Sequence, residues 1–135
     1  MIEKNLVVSG KRKRAIARAV IKKGKEKIFI NKIPYENLGF FRKLMIQEPV
    51  EITKKVLGDF NFDIWINTRG GGTGGQIEAS RLALARALVA FTKSNELKRR
   101  FIKYDKNLLV ADTRRKEAYK PGDSKARKKR QKSYR

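Results

Sequence analysis

The strongest constraint on the fold lies in residues 60–93, where three signals follow one another directly. From Phe60 to Asn67 apolar residues occupy every second position, which predicts a β-strand with one buried face. Five of the six residues from Gly70 to Gly75 are glycine. The run from Gln76 to Lys93 is rich in alanine and leucine, the strongest helix formers. The centre of the predicted fold is therefore a strand that enters a helix through a glycine loop.

The segment before this unit predicts a small antiparallel meander followed by helices. The β-prone runs Leu6–Val8, Ala15–Ile21 and Ile28–Ile30 are separated by basic turns. Between residues 35 and 57 apolar residues recur at helical spacing, but Gly39 and Pro49 interrupt them. We therefore expect two or three short helices there, with Pro49 at the first position of the last one.

The segment after the unit predicts one more helix, a last strand and a tail. Ser94 or Asn95 can cap a helix over Glu96–Tyr104, and residues 108–111 suit a short strand. Residues 113–135 hold eleven basic and two acidic residues and no Val, Ile, Leu, Phe, Met or Trp. Such a segment cannot offset its ordering entropy by burial. We expect a globular RNA-binding domain over residues 1–112 and a disordered basic tail over residues 113–135.

The composition of the whole chain narrows its function. Its 135 residues carry 35 lysines and arginines against 13 acids, and this net charge of +22 predicts a polyanionic partner, above all nucleic acid held by its phosphates. The sequence has no histidine and no cysteine, which removes the usual zinc sites, thiolate chemistry and imidazole catalysis. No apolar run is long enough for a signal peptide or a membrane span. An intracellular protein without metal or cofactor is expected.

The glycine loop is compatible with three interpretations. It satisfies the dinucleotide-binding pattern, but the chain is too short for the βαβ units of that fold. It does not match the Walker loop, because Gln76 stands where that motif has its phosphate-binding lysine. A tight turn, with Thr73 as helix N-cap and Gln76 as its capping-box partner, is the plain structural alternative. We favour the third interpretation, in which an RNA backbone approaches bare glycines and free helix N–H groups beside Arg69.

Basic side chains cluster in three further places. Residues 11–14 read KRKR and are followed by Arg18. On the helix after the glycine loop, Arg81 and Arg86 lie on the side opposite the apolar residues, free to meet an acidic partner. The chain ends in KARKKRQKSYR, and residues 121–135 would span on the order of 50 Å if extended. We predict phosphate contact at all three; the alternatives are a solvated turn and a solubilising or targeting tail.

These motifs together resemble a known family. The run SGKRKRAIARA, the loop GGGTGGQ before a helix containing ARAL, the pair Asp112 and Arg114, and the ending KARKKRQKSYR are similar to the small-subunit ribosomal protein nine family in its archaeal and eukaryotic form. The resemblance implies an α+β fold of the ribosomal S5 domain 2-like type. In that fold a mostly antiparallel sheet packs on helices with a left-handed βαβ crossover, and here a disordered basic C-terminal extension follows.

The resemblance also implies partners and contact residues. It implies a non-enzymatic, structural protein of cytoplasmic small subunits, bound to ribosomal RNA in the head beside neighbouring ribosomal proteins, with no membrane or small-molecule ligand. Its tail would reach the anticodon stem-loop of the peptidyl-site transfer RNA. The expected ribosomal RNA contacts are Lys11, Arg12, Lys13, Arg14, Arg18, Arg69, Gly70, Gly71, Gly72, Thr73, Gly74, Gly75, Arg81, Arg86, Arg114, Arg115, Lys116, Lys125, Arg127, Lys128 and Lys129. The expected transfer RNA contacts are Arg130, Lys132, Ser133, Tyr134 and, at the terminus, Arg135.

Two functions of other classes stay open on the residues alone. The net charge of +22 permits a general DNA- or RNA-compacting protein, which location in the cell would distinguish. The glycine loop permits a small nucleotide-binding enzyme, which predicts saturable binding of a nucleotide by the domain.

Overall fold

The computed structural model describes residues 5–119, 121 and 125–126, which form one mixed sheet with three helices. The strands are β1 (Leu6–Arg12), β2 (Ala15–Lys23), β3 (Ile28–Ile30), β4 (Ile33–Pro34) and β5 (Phe62–Arg69). The helices are α1 (Phe40–Leu57), α2 (Thr73–Thr92) and α3 (Asn95–Tyr104), with short 3-10 helices at Tyr35–Asn37 and Lys106–Leu108. The predicted α+β class is confirmed.

The sheet has the strand order β1-β2-β5-β3-β4. Neighbouring strands are antiparallel except β3 and β5, which are parallel and are joined through β4 and α1. Two parallel strands need such a crossover because the chain must return to the end of the sheet at which the first strand began. The expected βαβ unit is therefore present, while its left hand stays a prediction.

Small residues let α2 pack directly on the strands. Ala15, Ala17 and Ala19 of β2 are completely buried on the side that faces the helix. At Gly10 of β1, a Cβ atom would lie only 2.6 Å from the carbonyl oxygen of Ala79 in α2. The glycine and alanines of the run SGKRKRAIARA thus allow the backbone of α2 to lie against β1 and β2.

The predicted break at Pro49 is wrong. One helix, α1, runs through this proline, and its N-cap is Gly39. A proline inside a helix removes one hydrogen bond and costs about 3 kcal/mol. Here Pro49 is buried together with Ile46 and Val50 on the side of α1 that packs against α2. The burial of that side outweighs the local cost of the proline. Because this burial depends on α2, the local sequence around Pro49 does not reveal it.

One alternative and one prediction about element ends are also wrong. Helix α2 begins at Thr73, its N-cap is Gly72, and no side chain caps it, so Thr73 is not the cap. The expected last strand is replaced by the 3-10 helix Lys106–Leu108, because the Asp105 carboxylate accepts a hydrogen bond from the Asn107 amide at 2.9 Å and closes a turn. In contrast, Ser94 caps α3 as predicted by accepting from the Leu97 amide.

Candidate nucleic-acid interface

Three segments that are distant in sequence border one open cleft of about 1020 Å³. They are the β1–β2 turn, the glycine loop before α2, and the chain that follows Asp112. Six of the lining side chains are basic, and within the described part of the chain none is acidic. The lining residues are Arg12, Lys13, Arg14, Gly71, Gly72, Arg114, Arg115, Lys116 and Tyr119. We call this feature the basic cleft; its charge attracts phosphate.

The turn and the glycine loop are held together by close backbone contact. Pairing of β1 with β2 ends at Arg12 and Ala15, so the turn is formed by Lys13 and Arg14. Gly70 has a φ of +74°, and a Cβ there would lie 2.7 Å from the carbonyl oxygen of Arg14. A side chain at Gly70 would therefore be excluded by conformation and by space. The first glycine of the loop thus serves the fold itself.

Gly72 and Gly74 have no such steric reason to be glycine. Neither has a positive φ, and a Cβ at either position would meet no described atom within 4 Å. Within a helix, glycine costs about 1 kcal/mol relative to alanine, and Gly74 lies in the first turn of α2. A bare and costly backbone at the uncapped, electropositive end of a helix favours close approach of an outside anion. The Gln76 side chain does not cap the helix either, because its amide donates to the Gly70 carbonyl at 3.1 Å.

An ion-pair cluster ties the start of the tail to the body. The Arg114 guanidinium lies on the Asp112 carboxylate, with Nη2 2.6 Å from Oδ2, and the Arg114 amide donates to the same carboxylate at 3.0 Å. Arg12 of β1 reaches Asp112 through Nη2 at 3.6 Å and pairs with Glu78 of α2 through Nε. The tail therefore leaves the body at the rim of the basic cleft.

The Asp112–Arg114 pair stays ionised well below neutral pH. Hydrogen bonds from the Arg114 side chain and amide, reinforced by the charges of Arg114 and Arg12, hold the pKa of Asp112 well below its usual range. In return, the Asp112 carboxylate raises the pKa of Arg114. Asp112 and Arg114 therefore both carry their charges at neutral pH.

The expectation that one side of α2 is free to meet a partner is wrong. Arg81 pairs with Glu48 of α1 at 2.6 Å and with Asp105 at 3.4 Å. Arg86 donates to the carbonyl oxygens of Leu109 at 2.9 Å and Ser9 at 3.1 Å. Both arginines connect elements of the fold, because α1, α3 and the segment after α3 cover this side of α2.

The other expected contact residues lie in three places. Lys11, Arg18 and Arg69 are exposed on the sheet strands, outside the lining of the basic cleft, as is the exposed Lys125. Thr73, Gly74 and Gly75 begin α2 beside the cleft. Outside the described residues lie Arg127, Lys128, Lys129, Arg130, Lys132, Ser133, Tyr134 and Arg135.

Tyr119 is a cleft residue that the sequence analysis did not select. Its ring is 60% exposed, and its hydroxyl accepts a hydrogen bond from the Lys116 ammonium at 2.6 Å. An exposed tyrosine beside lysine and arginine can pack on a sugar or a base. A lone aromatic residue within the basic stretch 113–126 is the signal that could have identified it.

Comparison with known proteins gives a consistent result. The family model "Ribosomal protein S9/S16" matches residues 10–135. The chain is 47% identical over 129 residues to the small ribosomal subunit protein uS9 of Methanococcus maripaludis (strain C5), covering 93% of this chain and 95% of the relative. It is 46% identical over 132 residues to the protein of the same name from Thermoplasma volcanium, covering 96% and 98%. The similarity thus includes the body and the basic tail.

Proposed function

The chain belongs to the ribosomal protein S9/S16 family and is a structural, non-enzymatic constituent of the small ribosomal subunit, for which we propose two RNA contacts. The basic cleft holds ribosomal RNA of the head by its phosphates. The tail reaches the anticodon stem-loop of the peptidyl-site transfer RNA. The observation that carries the proposal is the convergence of six basic side chains on two glycines, one of which, Gly72, has no role in packing.

The cleft suits a phosphate backbone better than base edges. Each arginine at its rim can donate two parallel hydrogen bonds to the oxygens of one phosphate, whereas the lysines act as point charges. Phosphate contacts fix the register of a protein on RNA without reading its sequence. Lys13, Arg14, Arg115 and Lys116 are exposed, so their charges are available to RNA. Arg12 is half-buried between Glu78 and Asp112, so it contributes mainly by orienting the cleft.

The tail extends the reach of the protein beyond its own domain. It starts at the cleft rim, where Arg12 and Asp112 attach it to β1, and the remaining residues to Arg135 could span tens of ångströms. Its composition favours ordering by RNA rather than by its own packing. Contacts to the phosphates of the anticodon stem do not read its sequence. The tail would therefore hold every transfer RNA alike, whatever amino acid it carries, as a site used by all transfer RNAs requires.

The cleft is tested by filling the bare backbone. The variant Gly72→Val/Gly74→Val should fold, since no described atom lies within 4 Å of either Cβ, but should enter small subunits poorly. Gly39→Val is the control, because Gly39 is likewise the N-cap of a helix, α1, with open space around its Cβ position, and does not line the cleft. The measurement is the ratio of variant to wild-type protein in salt-washed small subunits from cells that express both. Equal incorporation of the double variant and the control would contradict RNA binding at the cleft.

The tail is tested separately by deleting residues 133–135. We expect normal incorporation into small subunits and faster dissociation of transfer RNA from the peptidyl site of purified ribosomes. The control is the full-length protein carried through the same exchange and washing. Loss of incorporation would show that the tail end serves assembly, and unchanged transfer RNA dissociation would refute the contact.

A further inference from the structure

The sheet face turned away from α2 carries an apolar row that crosses all five strands. Strand register aligns Val7 with Val20, Val20 with Trp65, Trp65 with Phe29, and Phe29 with Pro34. In β1, β2, β3 and β5 these positions alternate with the buried residues, so their side chains lie on the opposite face, and Pro34 joins the row through its pairing with Phe29. At about 4.8 Å between strands, the row is roughly 19 Å long.

The apolar row is exposed to solvent at Val7, is half-buried at its other four positions, and is preorganised. Val7 is 59% exposed, and Ile16, on the same face, is 40% exposed. The rings of Phe29 and Trp65 are stacked, with centroids 6.4 Å apart and planes within 9°. Rigid aromatic rings next to β-branched side chains form the kind of surface that proteins bury in an interface.

Positive charge flanks the row on both sides. Exposed Arg18 lies on one side, two residues before Val20 in β2. On the other side the Lys22 ammonium lies 4.9 Å from the centroid of the Trp65 ring. The carboxylate of Asp63 next to it accepts hydrogen bonds from the Lys25 and Lys27 amides, so it is committed to the turn between β2 and β3.

We propose that the apolar row binds a segment of a neighbouring protein in the small ribosomal subunit. This segment carries an apolar stripe with acidic residues beside it. Base stacking fits less well, because Val7, Val20 and Pro34 offer no aromatic face and the Lys22 ammonium covers Trp65. A second copy of this chain is disfavoured by a net charge of +22 on each. Acidic side chains on the partner would complement Arg18 and Lys22, and a length of roughly 19 Å corresponds to about six extended or thirteen helical residues.

Site-directed photo-crosslinking in purified small subunits tests the docking. Full-length protein carries benzoylphenylalanine in place of Val7, and the control carries it in place of Ile102 of α3, which is 47% exposed. After irradiation, crosslinked peptides are sequenced by mass spectrometry. We expect position 7 to crosslink to one peptide that contains both apolar and acidic residues. Adding Arg18→Glu should reduce that crosslink by roughly fivefold or more.

Three outcomes would overturn the proposal. They are crosslinking of position 7 to RNA alone, no yield above the control at position 102, and a protein crosslink that is insensitive to Arg18→Glu. If Arg18→Glu prevents incorporation, Arg18→Gln replaces it, and an unchanged crosslink has the same meaning. The row lies on the open sheet face and not in the basic cleft, so this result is independent of RNA binding there.

Discussion

Gly10 is a residue at which β1 lies in close contact with α2. A Cβ there would lie 2.6 Å from the Ala79 carbonyl oxygen and 2.7 Å from the Ala83 amide nitrogen, backbone atoms that no rotamer change can move. Gly10→Ala must push the helix from the strand, so we expect it to lower the free energy of unfolding by about 1–3 kcal/mol in urea denaturation. Gly39→Ala meets open space and should shift it by less than about 0.5 kcal/mol. Equal stabilities of the two variants would show that the helix does not lie where the structure has it.

The carboxylate of Asp112 provides a pH test of its ion pair with Arg114. Because hydrogen bonds from Arg114 lower its pKa, the folded chain binds this proton less readily than the unfolded chain. The stability that the pair contributes is therefore complete above the ordinary aspartate pKa of about 3.9 and is lost as the pH falls toward the lower folded value. We expect the carboxyl carbon of Asp112 to titrate below the ordinary pKa in NMR spectra, and Arg114→Gln to raise its pKa. An ordinary pKa in the wild-type protein would mean that the Asp112–Arg114 pair is absent in solution.

At the scale of elements, Arg81 connects α2 to α1 and to the end of α3. Its side chain is only 14% exposed and reaches Glu48 and Asp105. Both carboxylates are more than one-third exposed, so solvent screens the pairs, and we expect Arg81→Ala to lower the free energy of unfolding by about 1 kcal/mol. The exposed Arg99→Ala removes the same charge from α3 and should change stability by less than about 0.5 kcal/mol. The RNA affinity of the folded Arg81→Ala and Arg99→Ala variants should be equal. A larger loss of affinity with Arg81→Ala would show that Arg81 contacts RNA.

The elements differ in how far local sequence determined them. Strand β5, helix α2 and the Ser94 cap were predictable because alternation, alanine and leucine content, and a capping hydroxyl act within a few residues. The helical character of residues 35–57 was predictable too, but the continuity of α1 through Pro49 was not, because the burial of Pro49 depends on α2, which follows it in the chain. The two-residue strand β4 carries too little pattern to be recognised; only its pairing with β3 defines it.

For the molecule as a whole, composition predicted the kind of partner but not the place of contact. The charge of +22 and the glycine loop indicated RNA. The basic cleft, however, depends on Gly70 packing against Arg14 and on Asp112 returning to Arg12, contacts between residues distant in sequence. For the same reason Arg81 resembles a free surface arginine in the sequence, because its partners Glu48 and Asp105 are distant along the chain. The apolar row depends likewise on the register of five strands.

The number of phosphates held by the cleft can be measured from the salt dependence of binding. Each phosphate contact contributes roughly 0.7 to 0.9 to the slope of log affinity against log salt concentration. We expect the variant with Lys13, Arg14, Arg115 and Lys116 all changed to Gln to lower the slope for a transcript of the small-subunit head RNA by about 3. The control changes Lys98, Arg99, Arg100 and Lys103 of α3 to Gln. It also removes two lysines and two arginines, but from exposed positions outside the cleft.

The two quadruple variants separate local contact from the general field of a basic protein. Both have the same net charge, so long-range attraction falls equally in each. If RNA follows the basic cleft, only the cleft variant loses slope, while the α3 variant keeps a slope close to that of the wild-type protein. If RNA is bound wherever positive charge is dense, the two slopes fall together. That result would assign binding to composition rather than to the convergence of turn, glycine loop and tail.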